Sequence, residues 1–216
     1  MRPTRLDHVA LWVPDPDATA AWTVDVLGFH VVERTERFTL VGADGRAGKL
    51  TLFVAEGERE PGPLLGVGIR VPGLDEPEEA DAPGGPRVRL VPAPAGATAD
   101  LDHVALLSSD PSAARRRWLE LGFREAPPSS DRLERALVGD AALELHQGEA
   151  PATDRPLLNH LGVLVGSTAE VESAPGQPGL GAVELVDAPN TLAAFVDGPD
   201  GVRLEYVAHK PSFSLV

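Results

Sequence analysis

The chain of 216 residues contains no cysteine. This absence excludes disulfides, thiolate metal sites, iron–sulfur clusters and a cysteine nucleophile. Any bound metal ion must therefore be held by histidine, aspartate or glutamate side chains.

Positive charge and long apolar runs are also scarce. Lysine and arginine total 19 against 33 aspartates and glutamates, which gives a formal net charge of −14. Such a chain is repelled by nucleic acids and anionic lipid. No segment approaches the roughly 18–20 consecutive apolar residues of a membrane span, and Arg2 and Arg5 precede no apolar run of a secretory signal. We expect a cytoplasmic protein with a small-molecule substrate, and neither nucleic acid nor membrane as a partner.

The most informative feature of the sequence is an internal repeat. Leu6-Asp7-His8-Val9-Ala10-Leu11 recurs letter for letter at residues 101–106. Leu-Gly-Phe follows each copy at a similar distance, at residues 27–29 and 121–123. Because repeats at a fixed offset indicate repeated structural units, the sequence predicts a duplicated architecture.

Each copy has a recognisable local pattern. The apolar run 6–13 predicts a strand, and Asp-Pro then supplies a helix N-cap with proline in the first turn. Residues 18–27 and 112–121 have helical composition and end at Gly28 and Gly122. Further strands are predicted at residues 29–34, 38–41 and 50–55 in the first copy and at 132–138 and 141–146 in the second, so each unit is β-α-β-β-β.

Two fainter units complete the chain. Residues 63–71 and 157–165 resemble the first strand of a unit, and the first of these units is eroded because the stretch before its last strand is short and rich in acids, proline and glycine. We predict an α+β fold of paired units, with residues 1–95 as an N-terminal pair that lacks a metal site and residues 100–216 as a C-terminal pair that carries one.

Histidines and acids recur at equivalent places in these units. His103 and His160 lie at the same position of a first strand, and Glu144 and Glu205 lie between apolar residues of a last strand. Burying such an acid is costly unless it is paired or coordinated, and histidines with carboxylates form the ligand sets that divalent first-row ions accept. These four residues are the predicted metal ligands.

The remaining histidines are interpreted differently. His8 shares the motif, but the front half offers it no partners, so we assign it an inherited core or turn role. His146 lies two residues after Glu144 and hence on the same strand face, where it could line the pocket. His30 and His209 have no supporting pattern and are interpreted as surface residues.

The two Leu-Asp-His-Val-Ala-Leu strands, together with residues 195–205 (Phe-Val-Asp-Gly-Pro-Asp-Gly-Val-Arg-Leu-Glu), resemble the vicinal oxygen chelate superfamily. That superfamily includes glyoxalase I, bleomycin and fosfomycin resistance proteins and extradiol ring-cleaving dioxygenases. The resemblance covers nearly the whole chain. It implies paired βαβββ units whose mixed sheets curl around one divalent metal ion.

One branch, the extradiol dioxygenases, has four units with the metal in the second pair. Similarity to this branch implies Fe²⁺ or Mn²⁺ on His103, His160 and Glu205, with His146 as an acid–base residue. At the place where the branch has a tyrosine this chain has Phe195, which cannot donate a hydrogen bond.

The second branch, glyoxalase I and related isomerases and lyases, implies Ni²⁺, Zn²⁺ or Co²⁺ on four ligands. Here these are His103 with Glu144 and His160 with Glu205, and Glu144 or Glu205 would shuttle a proton. A third class, the antibiotic-binding relatives, implies a pocket without catalysis. A homodimer is compatible with each alternative.

Overall fold

The computed structural model describes residues 1–127 and 131–215, and its elements follow the predicted order of strands and helices. The strands are β1 Arg5–Val13, β2 His30–Arg34, β3 Phe38–Gly42, β4 Lys49–Val54, β5 Leu64–Pro72, β6 Glu78–Asp81, β7 Arg87–Ala93, β8 Asp100–Ser108, β9 Arg124–Glu125, β10 Glu134–Val138, β11 Ala141–Gln147, β12 Leu158–Leu164, β13 Glu184–Asp187, β14 Thr191–Asp197 and β15 Arg203–His209. The helices are α1 Pro16–Leu27, α2 Pro111–Glu120 and α3 Thr168–Glu172, with a 3₁₀ turn at Pro199–Gly201.

The helix boundaries follow from the predicted caps. The Asp15 side chain accepts a hydrogen bond from the Ala18 amide, and Asp110 does the same for Ala113. Gly28 ends α1 in the left-handed region at φ 68°, which glycine adopts without strain. In the second copy the C-cap is Leu121, and Gly122 follows it at φ 94°.

The four units are present, and the second is the reduced one. Strands β5, β6 and β7 form this unit, and residues 64–93, all of them described, contain no helix. The first, third and fourth units each keep one helix, although α3 has only five residues. The predicted α+β class with paired units is confirmed.

The pairing of the units differs from the prediction. One sheet has the order β13-β14-β15-β12-β1-β4-β3-β2 and joins the first unit to the fourth. The other has the order β6-β7-β5-β8-β11-β10-β9 and joins the second unit to the third. The division into 1–95 and 100–216 assumed that consecutive units pair, whereas β1 forms its antiparallel ladder with β12 and β5 forms its own with β8.

The two sheets share one hydrophobic core. Trp118 of α2, in the third unit, is 1% exposed, and the Tyr206 hydroxyl of β15, in the fourth unit, donates a hydrogen bond of 2.7 Å to the Leu121 carbonyl. Burial of large apolar side chains across this contact stabilises the two sheets against each other. None of the helices in residues 1–127 and 131–215 combines the length and apolar character needed to cross a lipid bilayer.

Candidate metal centre

Three potential ligands converge in the middle of the eight-stranded sheet. His8 on β1, His160 on β12 and Glu205 on β15 are 8%, 5% and 7% exposed. The two histidine Nε2 atoms lie 2.9 Å apart. Glu205 Oε2 lies 3.0 Å from Nε2 of His8 and 3.1 Å from Nε2 of His160. We refer to these residues as the His8–His160–Glu205 triad.

Strand register brings the triad together. His8 pairs with Gly162 across the β1–β12 ladder, and Gly162 pairs with Glu205 across the β12–β15 ladder. His160 lies two residues before Gly162, so its side chain is on the same face of β12. A Cβ at Gly162 would lie only 2.2 Å from the His8 ring. Because Gly162 has no side chain, the His8 ring can occupy this space.

The hydrogen bonds of the two imidazoles define their tautomers. Nδ1 of His8 lies 2.7 Å from Asp7 Oδ2, and Nδ1 of His160 lies 2.8 Å from Asn159 Oδ1. Since both partners are acceptors, each Nδ1 carries the proton and donates it. In its neutral form each ring presents an Nε2 lone pair to the other ring and to the Glu205 carboxylate. Only a cation or a proton between them can remove the repulsion among these three acceptors.

The pKa shifts of the triad residues also show that this site favours positive charge. Burial opposes the charged form of His8, but the carboxylates of Glu205 and Asp7 outweigh it and raise the pKa of His8 to about 9. Burial likewise opposes the charged form of Glu205, but His8 and His160 lower its pKa to about 2. Burial lowers the pKa of His160, whose ring stays neutral.

A buried ion pair lies behind His8. Lys49 Nζ lies 2.8 Å from Asp7 Oδ1, and both side chains are at most 5% exposed. Burial would raise the pKa of Asp7, but Lys49, His209 and His8 lower it well below its usual range. Asp7 therefore stays ionised and fixes the ring of His8, as the carboxylate partners of metal-binding histidines do.

The donor set fits a divalent metal ion. Ligands about 2.1 Å from an ion and at right angles to one another are roughly 3.0 Å apart. The three separations of 2.9, 3.0 and 3.1 Å agree with this facial arrangement. His8, His160 and Glu205 would hold the ion, and the side of the triad that faces the pocket would remain open.

The triad lies at the base of a mainly apolar pocket of about 420 Å³. The His160 ring is edge-on to Phe195, with centroids 5.1 Å apart, and Phe53 lies 6.3 Å from it. The remaining walls come from aromatic and aliphatic residues of β3, β14 and the C-terminal segment, namely Phe38, Leu40, Ala193, Phe213 and Leu215.

The structure divides the predicted site residues between the two sheets. His160 and Glu205 are together in the triad. His103 on β8 and Glu144 on β11 lie in the seven-stranded sheet, and His146 lies beside Glu144. The predicted four-residue set of one centre is therefore not assembled. The reason is the pairing of units, since β8 is adjacent to β5 and β11 and not to β12.

Two pocket residues were missed by the sequence interpretation. His8 is a triad member and not a core or turn residue, and its exact sequence match to the His103 segment was the available signal. His209 is interpreted from sequence as a surface residue, yet its side chain is 17% exposed and lines the pocket. Strand alternation from Glu205 through Val207 to His209 could have placed it on the triad's face.

Comparison with known protein families supports the resemblance. Residues 5–82 match the family model described as the Glyoxalase/Bleomycin resistance protein/Dioxygenase superfamily. No curated protein sequence matches the chain.

Solved structures share the fold across almost the whole chain. A candidate dioxygenase from Bacillus subtilis superposes with a TM-score of 0.80 at 14% identity, covering 98% of this chain and 87% of that chain. Glyoxalase I from Zea mays gives a TM-score of 0.67 at 16% identity, covering 94% and 92%. At these identities the likeness concerns the fold.

Proposed function

We propose that this chain, whose residues 5–82 match the glyoxalase/bleomycin resistance protein/dioxygenase superfamily model, is a metal-dependent oxygenase of extradiol-dioxygenase type. Its substrate would be a small, largely apolar molecule, such as a catechol, that carries two vicinal oxygens. The observation that carries the proposal is the His8–His160–Glu205 triad, with its three ligand atoms 2.9–3.1 Å apart.

Two histidines and one carboxylate on a single face are the ligand type of non-haem iron oxygenases. A divalent ion on this triad would supply Lewis acidity and open positions for the two substrate oxygens and for dioxygen. The protein's own contribution is orientation. Asp7 and Asn159 fix the His8 and His160 rings so that both Nε2 atoms face the same point.

The position of a fourth ligand supports an oxygenase over an isomerase or lyase. Ala10 pairs with Thr51 on β4, as Ala105 pairs with Glu144 on β11 in the other sheet. The eight-stranded sheet therefore has the neutral Thr51 at the position where the seven-stranded sheet has the carboxylate of Glu144. A three-ligand centre leaves more positions for substrate and co-substrate than the four-ligand centre of the alternative.

The walls of the pocket favour a flat apolar substrate. Phe38, Phe53 and Phe195 surround the approach to the triad, and the rings of Phe38 and Phe53 are 5.7 Å apart. Aromatic rings pack well against edge-on or offset aromatic neighbours. Lys49, the pocket's lysine, is bound to Asp7 and the Gly45 carbonyl, so it offers no free charge to an anionic substrate.

His209 is the acid–base residue in this proposal. Its Nε2 atom is buried, lies 3.8 Å from Asp7 Oδ1 and makes no hydrogen bond among the described residues, and its ring stacks on Phe213 at 4.0 Å. It lies on the same face of β15 as Glu205 and lines the same pocket. His209 would accept the proton of a substrate hydroxyl as the two oxygens approach the triad. This role replaces the one predicted for His146, which lies in the other sheet.

Oxygen uptake tests the proposal. The protein is freed of metal, loaded anaerobically with one equivalent of Fe²⁺ or Mn²⁺, and mixed with catechols and with monophenols of the same size. We expect uptake with vicinal diols only, loss of uptake in His160→Ala, and retention in His30→Ala, which removes an exposed histidine. The proposal fails if iron-loaded protein consumes no oxygen with any vicinal diol. Substrate affinity that survives chelation would instead support the binding-protein alternative.

A further inference from the structure

We propose that Glu33 selects substrates that carry a positively charged amine at the end remote from the two vicinal oxygens. The selection concerns the substrate of the proposed function, and it rests on that function for the position of the oxygens at the triad. The substrate class is then an aromatic vicinal diol joined by a short chain to an ammonium group. The feature that supports this class is an unpaired carboxylate in the wall of a mainly apolar pocket.

A row of directly paired residues links Glu33 to the triad. Glu33 pairs with Leu40 across the β2–β3 ladder, and Leu40 pairs with Thr51 across the β3–β4 ladder. Thr51 pairs with Ala10 of β1, and Ala10 pairs with His160 of β12. Side chains of directly paired residues project from the same face of a sheet. Glu33 is therefore on the face that carries His160, and both residues line the pocket.

The two ends of this row leave room for a ring and a side chain between them. Neighbouring strands lie about 4.8 Å apart, so the four strand intervals from β2 to β12 span roughly 19 Å along the sheet. The side chains of Glu33 and His160 extend into the pocket from its two ends, and the curl of the sheet shortens the direct path between them. A ring held at the triad, with a short chain directed across β3 toward β2, suits this separation.

The carboxylate of Glu33 has no partner within the protein. This half-buried side chain makes no ion pair or hydrogen bond with another side chain in residues 1–127 and 131–215. The adjacent Arg34 pairs instead with Asp17 of α1. A charge that is partly removed from water in an apolar wall is costly unless it is paired. The ammonium group of a ligand would supply the missing partner.

The other carboxylates of the pocket are already balanced. Lys49 Nζ lies 2.8 Å from Asp7 Oδ1 and 3.0 Å from the Gly45 carbonyl oxygen. Glu205 Oε2 lies 3.0 and 3.1 Å from the histidines of the triad. Among the described residues that line the pocket, Lys49 is the sole lysine or arginine. A ligand carboxylate would therefore face Glu33 without a free cation to bind it, whereas a ligand ammonium group would find a free anion.

Aromatic side chains near Glu33 favour the same ligand. Phe38 lies two residues before Leu40, the partner of Glu33, and hence on the same face of β3. Its ring is 5.7 Å from that of Phe53 on β4, and both rings line the pocket. Aromatic faces attract cations, and they pack against flat rings. An arylalkylammonium ion gains from both contacts, whereas a neutral compound of the same shape gains from the second alone.

Binding of three matched probes to the full-length, chelator-treated protein tests this selection. The probes 2-phenylethylammonium, 2-phenylethanol and 3-phenylpropanoate share a phenyl ring and a two-carbon chain and differ in the charge of the end group. By calorimetry at low salt, we expect the ammonium probe to bind roughly fivefold or more tighter than the alcohol, and the carboxylate to bind most weakly. The ammonium preference should vanish in Glu33→Gln and persist in Glu36→Gln, which removes an exposed carboxylate of the same hairpin. In Glu33→Lys the carboxylate probe should bind more tightly than the ammonium probe.

Two results would overturn the role of Glu33. One is an ammonium probe that binds the wild-type protein no more tightly than the alcohol, or does not bind. The other is an ammonium preference that persists in Glu33→Gln with native circular dichroism. Because the probes carry no vicinal oxygens and the protein holds no metal, these results are independent of the oxygenase proposal. An ammonium preference without oxygen uptake on any vicinal diol would keep the role of Glu33 and refute the oxygenase, and the reverse pair of results would do the opposite.

Discussion

The Nε2 atoms of His8 and His160 lie 2.9 Å apart, although the Nδ1 proton of each ring is already donated to a neighbouring side chain. Two lone pairs at this distance beside an ionised carboxylate repel one another unless a cation or a proton lies between them. The relationship joins residues 152 positions apart in the sequence. A divalent ion would replace the proton that His8 otherwise holds at this point, so metal binding should release a proton.

Removing one triad ligand should abolish tight metal binding in the eight-stranded sheet. Loss of a residue that hydrogen-bonds a metal ligand lowers metal affinity roughly 10–100-fold. We expect loss of the ligand itself, in His8→Ala, to lower Fe²⁺ affinity by more than this. The measurement is anaerobic titration with Fe²⁺ and elemental analysis, with His30→Ala as the matched histidine control. Unchanged iron affinity in His8→Ala would exclude His8 as a ligand.

Asp7→Asn should weaken metal binding roughly 10–100-fold, because a neutral amide oxygen is a weaker acceptor for the Nδ1 proton of His8 than an ionised carboxylate and leaves Nε2 less basic. The same change leaves Lys49, 4% exposed, as a buried charge without its partner. We expect a loss of about 3–5 kcal/mol in the free energy of unfolding, measured by urea titration.

A double variant separates these two effects. Asp7→Asn with Lys49→Met removes both charges, so stability should recover while metal affinity stays low. Recovery of both quantities together would contradict a positioning role for Asp7.

Gly162 gives a test of the triad that changes no ligand. In Gly162→Ala the new Cβ would lie 2.2 Å from the His8 ring, and in Gly68→Ala it would lie 2.2 Å from the His103 ring of the other sheet. Gly162→Ala should displace the His8 ring and lower Fe²⁺ affinity, whereas Gly68→Ala, the matched control, should leave Fe²⁺ affinity unchanged. Fe²⁺ titration of both variants measures the difference. An equal loss of affinity in the two variants would refute the assignment of the ion to the triad.

At alkaline pH, ionisation of the chain's one tyrosine should accompany unfolding of the core. Burial raises the pKa of Tyr206 above its ordinary value, and Arg117 opposes this only in part. Because the folded pKa is the higher one, the stabilisation is complete below the unfolded value of about 10 and is lost as the pH rises above it.

We therefore expect the tyrosinate absorbance near 295 nm to rise together with the loss of circular dichroism. The absorbance rise should be missing in Tyr206→Phe. A tyrosinate signal with a midpoint of about 10 while the dichroism is still native would show that the hydroxyl is accessible.

Much of the fold was predictable because its signals are local. The apolar runs, the Asp-Pro helix starts at residues 15 and 110 and the repeat of residues 6–11 depend on neighbouring residues only, and strands and helices follow them. The same signals identified His160 and Glu205, since an acid within an apolar strand and a histidine at a repeated position can both be recognised in the linear sequence.

Which units pair was decided by the tertiary structure alone. Each unit offers the same kind of first-strand edge, so the sequence pattern does not distinguish a ladder of β1 with β12 from one between consecutive units. The observed pairing places His8 against His160 and leaves His103 with Glu144 in the other sheet. The sequence by itself determined the kinds of ligand and the strands that carry them. Long-range strand pairing decided which ligands meet, because contacts between residues 152 positions apart leave no periodicity in the chain.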